Sequence, residues 1–238
     1  MTSFPKGTKK TTLLEAVEIL NRPNCGLLVI VDENDRLLGS LSRHELRQAL
    51  IKDLSLDTTV ETIMNRNPPK VYEESEIEKL SEELGDYLPI LDKNNRVKYL
   101  YTYRRHWEKK KAAKNKNIQK VIISPEATIK KVVNILDATD MNIVLIVDKD
   151  QKFLGLVTER DVREAILEGQ DCENPVGKIM NRNPVTGVEG LSKKELIRLL
   201  DSKIELSRFQ VLMSKEDIIS PKGIGIKVPI LDKKNRLR

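Results

Sequence analysis

Apolar positions recur along this chain in two rhythms. Leu13, Val17 and Leu20 fall at helical spacing, as do Ile129, Val132, Val133 and Leu136, and that periodicity predicts amphipathic helices. Each of these stretches gives way to a short apolar run and then a polar turn led by Asp. The pattern appears as VIVDENDR (29–36), PILDKNNR (89–96), LIVDKDQK (145–152) and PILDKKNR (229–236). A buried strand, a tight turn of Asp, Asn and Lys, and a second apolar strand together predict a β-hairpin. RHELRQALI and ERDVREAIL follow the first and third hairpins as further helices, while Glu76 to Leu84 and Ser192 to Leu200 supply the helix before the second and fourth. Extended pieces lead in at Lys120–Ser124 and near Pro69–Tyr72. The order is helix, strand, strand, helix, and the fold class is α+β.

The same pattern is duplicated on a larger scale. LLVIVDENDRLLGSLSRHEL (27–46) aligns without gaps on IVLIVDKDQKFLGLVTERDV (143–162), and the same offset superimposes IMNRNP (63–68) on IMNRNP (179–184). Repeats at a fixed spacing mark duplicated structural units. The expected organisation is a first unit over 1–106, a Lys-rich helical linker over 107–120, and a second unit over 121–238. The second unit carries an insertion near 203–227, and its last hairpin reaches Arg238 where its second strand should start.

Charge and composition narrow the functional classes. The chain has 238 residues, a net charge of +6 and only 4% aromatic residues. A face for single-stranded nucleic acid usually interleaves a dense basic stripe with stacking aromatics, so this balance argues for a solvated exterior, with the Lys-rich linker as the one feature favouring an anionic partner. No apolar run approaches the roughly 20 residues of a membrane span, and the N-terminal MTSFPKGTKKTT lacks a signal-peptide core; a cytoplasmic location is expected. Cys25 and Cys172 have no neighbouring Cys or His at metal-ligand spacing, so no metal site is expected. His44 and His106 have no Ser, Cys or acid placed by sequence to make either a catalytic base, and no catalytic residue is assigned.

The third copy carries the clearest motif. LIVDKDQKFLGLVTERDV, with Asp148 ending a strand, Gly155 in the next, and Thr158 and Asp161 at a strand-to-helix junction, resembles the cystathionine-β-synthase (CBS) domain family. The resemblance implies β-α-β-β-α motifs working in pairs, here four motifs arranged as two pairs with the last incomplete, and it covers nearly the entire chain. It also implies a regulatory module with no required cofactor that takes a nucleotide such as AMP, ADP or ATP, and homodimerises through its pairs. The style of IMNRNPV and VPILDKKNR further resembles CBS pairs placed ahead of a sugar-nucleotidyltransferase catalytic domain, so an adjoining catalytic domain is expected in a longer parent chain. The Gly-Gly-x-Gly-x-Arg loop of that catalytic family is absent from this sequence.

The residue types at the junction suit a nucleotide. In the resembled family the Asp accepts from the ribose hydroxyls while the Thr hydroxyl and nearby N–H groups meet phosphate; here those positions are Asp161 and Thr158. An ionised carboxylate offers two acceptors for vicinal hydroxyls in charge-assisted bonds, and the first turn of a helix offers unpaired N–H donors. Arg160 adds positive charge, Ile143 and Val144 would form an apolar wall for the base, and Met180 and Pro184 would complete it from the neighbouring motif. Ser42 and Glu45 are weaker first-half equivalents, because Glu at that spacing makes the better capping box; the shorter Asp161 is expected to fit a cap less well and a ribose better. In the second motif Arg105 stands where the acid should be. A structural dimerisation module without ligand and a nucleic-acid-binding module using the basic linker are the alternative functions.

Overall fold

The computed structural model describes residues 4–22, 25–72, 87–102, 118–139, 141–191, 195, 218–219, 225–226 and 229–237. The chain divides into two compact units, Met1–His106 and Trp107–Arg238. Residues 107–117 of the expected linker, the expected helices at 76–84 and at 192–200 apart from residue 195, Arg105, His106 and most of the insertion near 203–227 lie outside the described residues.

In the first unit, strand β1 (Lys6–Gly7) precedes helix α1 (Leu13–Asn21), the hairpin β2 (Leu27–Val31) and β3 (Leu37–Ser42), and helix α2 (Arg43–Ile51). The hairpin β4 (Tyr87–Leu91) and β5 (Val97–Thr102) completes its described strands. The second unit repeats the order with β6 (Ile122–Ile123), α3 (Ile129–Ala138), β7 (Ile143–Val147), β8 (Phe153–Thr158) and α4 (Glu159–Leu167). β9 (Gly187–Val188), β10 (Ile218–Ile219), β11 (Gly225–Ile226) and β12 (Ile230–Leu231) follow. β1 runs parallel to β2, β6 to β7 and β9 to β12, while Val71 makes the corresponding parallel bridge to Ile90. Every motif therefore places a short lead-in strand beside the first strand of its hairpin.

Local chemistry explains the helix starts. Thr12, Ser42, Thr128 and Thr158 are the N-caps of α1 to α4, each in extended conformation with its hydroxyl accepting a first-turn N–H. Such caps occupy donors that the helix itself cannot. Apolar spacing then sets the buried faces: Leu13, Ala16, Val17 and Leu20 of α1, and Ile129, Val132, Val133, Ile135 and Leu136 of α3, are all buried.

The hairpin turns are built alike. The Oδ1 atoms of Asp32, Asp92, Asp148 and Asp232 each accept two backbone N–H groups, from Asn34 and Arg36, Asn94 and Arg96, Asp150 and Lys152, and Lys234 and Arg236, at 2.8–2.9 Å. Three residues beyond each Asp the backbone turns left-handed, at Asp35, Asn95, Gln151 and Asn235 with φ of 59°, 62°, 62° and 60°. The register of the first three hairpins shifts by one residue at the corresponding position, as expected for a turn closed by a left-handed residue and a bulge.

The backbone N–H groups bonded to them, those of Arg36, Arg96 and Arg236 foremost, hold the Asp32, Asp92 and Asp232 carboxyls below the usual aspartate range. A depressed folded-state value contributes stability that is present above the unfolded value and lost as pH falls through the folded one. Urea unfolding across an acid series should therefore show stability declining below about pH 4. The triple variant Asp32→Asn, Asp92→Asn and Asp232→Asn should show a shallower decline.

Within the first unit the two hairpins share a core. Leu27, Val29, Val31 and Leu37 of the first pack with Leu91 and Val97 of the second. The IMNRNP segments then extend the sheets: Asn65 exchanges two backbone bonds with Ser40 at 2.8 and 2.9 Å, and Asn181 does the same with Leu156 at 2.9 and 3.1 Å. Gly39 and Gly155 permit this approach, because a Cβ at either would lie 2.7 or 2.3 Å from the Asn65 or Asn181 carbonyl oxygen.

Candidate functional site

The antiparallel register of β7 and β8 sets Ile143 directly across from Thr158 and Val144 across from Val157. Thr158 closes the strand and caps α4, so the chain passes from an apolar strand pair to the N–H groups of a nine-residue helix in one step. Asp161, three residues on, lies in the first turn of that helix. Strand pairing and helix spacing together bring Ile143, Thr158 and Asp161 to one end of the sheet.

Side chains alternate across a strand. Ile143 therefore shares a face with Thr158, its cross-strand partner, and Val144 points to the opposite face. Both are buried. Of the two expected wall residues, Ile143 is therefore the one on the Thr158 face. Met180, also buried, precedes Asn181, which pairs with Leu156. Met180 thus sits level with Val157, one register step short of Thr158. Pro184 is half-buried three residues beyond Asn181.

Asp161, expected to fit a cap less well than a Glu, nonetheless makes one. Asp161 Oδ2 accepts from the Thr158 backbone N–H at 2.6 Å and from the Thr158 hydroxyl at 2.7 Å, while the Asp161 N–H donates to Thr158 Oγ1 at 3.4 Å. This is a closed capping box. The extended N-cap backbone brings its own N–H within reach of the shorter acid. Both bonds fall on one carboxylate oxygen, and among the described residues no hydrogen bond reaches Oδ1.

The electrostatics of this carboxylate are mixed. Burial pushes the Asp161 carboxyl above its usual range and Glu164 adds to that, whereas the Thr158 bonds and the Arg160 charge oppose it. Arg160 donates from Nε to Glu164 Oε1 at 2.7 Å, so its charge is shared with an acid on its own helix. Arg163 is buried, with Nη1 3.9 Å from Glu159 Oε2.

The first-unit equivalents form the same box with a longer acid. Glu45 Oε2 accepts from the Ser42 N–H at 2.7 Å and from the Ser42 hydroxyl, and the His44 N–H donates to Ser42 Oγ at 3.1 Å. Leu27 stands across from Ser42 as Ile143 stands across from Thr158. Among the described residues no group of three or more His, Cys, Asp or Glu could hold a metal ion, and no helix is long and apolar enough to cross a membrane. Cys25 is buried, Cys172 is partly buried, and neither is in a disulfide.

Comparison with known proteins agrees with this architecture. Residues 8–52 and 116–168, the first and third motifs, match the CBS domain family. The L-aspartate semialdehyde sulfurtransferase of Methanocaldococcus jannaschii is 29% identical over 90 residues, which span 36% of this chain and only 17% of that enzyme. A crystal structure from the same organism, of a protein described as an archaeal homolog of g-AMPK, matches 99% of this chain and 92% of its own at 15% identity, with a TM-score of 0.59. The CBS domain pair of protein MJ0100, solved with 5-methylthioadenosine and S-adenosyl-L-methionine, is 26% identical over 43% of this chain and 88% of its own, with a TM-score of 0.37.

Proposed function

We propose that this chain, whose fold is that of tandem CBS motifs, is a regulatory module that senses an adenine nucleotide at the end of β8 in its second unit. The register of β7 and β8 carries the reading, since it gathers an apolar wall at Ile143, a cap hydroxyl at Thr158 and a carboxylate at Asp161 around one helix N-terminus. The phosphate would take the N–H groups of the first turn of α4 and the Thr158 hydroxyl. The ribose hydroxyls would donate to Asp161, whose Oδ1 offers lone pairs while Oδ2 keeps its Thr158 bonds. The base would lie against Ile143, and Met180 and Pro184 would approach from the next motif. Arg160 would reach the phosphate by exchanging Glu164 for it. Homodimerisation, a cytoplasmic setting and an adjoining catalytic domain of the sugar-nucleotidyltransferase type belong to the same reading and rest on the sequence resemblance.

A ligand-free structural module is the second reading, and the closed Thr158–Asp161 box favours it. Thermal unfolding with AMP, ADP, ATP and S-adenosylmethionine separates the two, because a ligand bound only to the folded state raises the melting temperature. A shift with at least one of these is expected. Asp161→Asn should remove most of it, since charge-assisted bonds are worth about 1.5–3 kcal/mol, or tenfold and more in affinity. A melting curve unmoved by all four ligands sinks the sensor reading.

The same variant has a stability signature without ligand. A carboxyl whose folded-state value is raised favours the fold below its unfolded value and loses that contribution as pH rises through the folded one. At neutral pH the ionised Asp161 therefore weakens the fold. Asp161→Asn should be at least as stable as the parent at pH 7, with its advantage shrinking toward acid.

A further inference from the structure

The turns of the first unit meet in a near-symmetric contact. The Leu37 N–H donates to the Asn95 carbonyl at 2.9 Å, and the Val97 N–H donates to the Asp35 carbonyl at 3.0 Å. Arg36 and Arg96 form an antiparallel bridge between them. Two turns of the same build thus clasp each other across a local twofold axis, at the rim of the core that both hairpins share.

The side chains break this symmetry. Asn95 donates from Nδ2 to the Leu37 carbonyl at 3.2 Å, and its Oδ1 accepts from the Tyr72 hydroxyl at 3.4 Å. At the symmetric position Asp35 has no N–H to give the Val97 carbonyl, and its carboxylate turns to Lys6 Nζ at 2.9 Å. The second unit repeats the Asn side of this arrangement. The Phe153 N–H donates to the Asn235 carbonyl at 2.9 Å, Asn235 Nδ2 donates to the Phe153 carbonyl at 3.0 Å, and Lys152 bridges Arg236. The residue of its first hairpin at this position is Gln151.

Two demands converge at this position. The backbone must be left-handed, which Gly, Asn and Asp accept most readily, and a short side chain must present an N–H to a carbonyl across the contact. Glycine has no donor and an ionised Asp only accepts; Asn meets both demands. We infer that Asn95 and Asn235 are the pairing-specificity residues of their units: one amide, carried by the second hairpin, latches its turn onto the strand of the first and excludes a carboxylate there.

The test is an exchange of the two first-unit residues in the full chain, read by hydrogen exchange of the Leu37 and Val97 amides at pH 7. Asn95→Asp sets a carboxylate against the Leu37 carbonyl and should speed exchange of both amides roughly tenfold. The difference from the parent should narrow at acid pH, where a protonated carboxyl can donate to the same carbonyl. The double variant Asp35→Asn with Asn95→Asp moves the amide to the symmetric position and should restore most of the protection. Asn95→Gly, which keeps the backbone conformation and removes the amide's bonds to Leu37 and Tyr72 without setting a carboxylate against the carbonyl, should give an intermediate rate. Parent-like exchange in Asn95→Asp overturns the inference, and so does a double variant no better protected than Asn95→Asp. Should Asn95→Asp fail to fold, a folded double variant supports the inference and an unfolded one overturns it.

Discussion

Gly155→Ala should lower the stability of the second unit by about 3 kcal/mol, combining overpacking with strained or broken backbone bonds. The added methyl carbon would lie 2.3 Å from the Asn181 carbonyl oxygen and 3.2 Å from its carbon. Both are main-chain atoms, so no side-chain rotation relieves the clash. The Asn181 segment has to withdraw, and with it go the two bonds it exchanges with Leu156. For a unit of about 130 residues this corresponds to roughly 10 °C in melting temperature. Gly39→Ala provides the internal comparison. Its nearest contact is 2.7 Å, also to a carbonyl, and the next at 3.0 Å is the Met64 sulfur, which can swing away. The first-unit variant should lose less stability. Calorimetry on both checks the ranking, and equal losses would mean that the two approaches relax alike. Because Met180 and Pro184 move with Asn181, Gly155→Ala should also weaken any nucleotide response.

Ile146→Ala should cost a comparable or larger amount, about 2–5 kcal/mol, through lost burial and the cavity left behind. Ile146 is 0% exposed. It occupies the middle strand of a three-stranded sheet, paired with Ile123 on one side and Gly155 on the other. Neither neighbour can grow to refill the space, since Gly155 has no side chain and Ile123 is held in a parallel pair. Urea unfolding should show a lower midpoint with an unchanged slope, the mark of lost stability without a change in the area exposed. Ile30→Ala, at the equivalent and equally buried place in the first unit, should behave the same way.

Much of this architecture was legible in the residues themselves. The Asp-led turns announced the described hairpins because an Asp that gathers two N–H groups closes a turn with few alternatives, and the helical spacing of α1 and α3 marked their buried faces directly. The junction at Thr158 was legible as a place but not as a geometry. A three-residue spacing shows that Asp161 can reach its cap; whether Oδ2 makes that bond depends on backbone angles that spacing does not encode. The face that Val144 takes was not legible for a simpler reason, since in a strand buried on both sides apolar character does not reveal which face a residue takes. Asn95 and Asn235 went unread as well. Their signal, an Asn at the same turn position of the second hairpin in each unit, becomes meaningful only when the turns are seen clasped together.

The bonds that Asn65 and Asn181 lend to Ser40 and Leu156 bear on how such a chain could have grown. A motif severed from its successor would bare a strand margin with unmet N–H and C=O groups, the kind of raw edge that recruits neighbours and precipitates. A genetic copying event that took one motif would carry that liability; one that took a motif together with the segment after it would not. The identical IMNRNP in both halves is what inheritance of the larger cassette would leave behind.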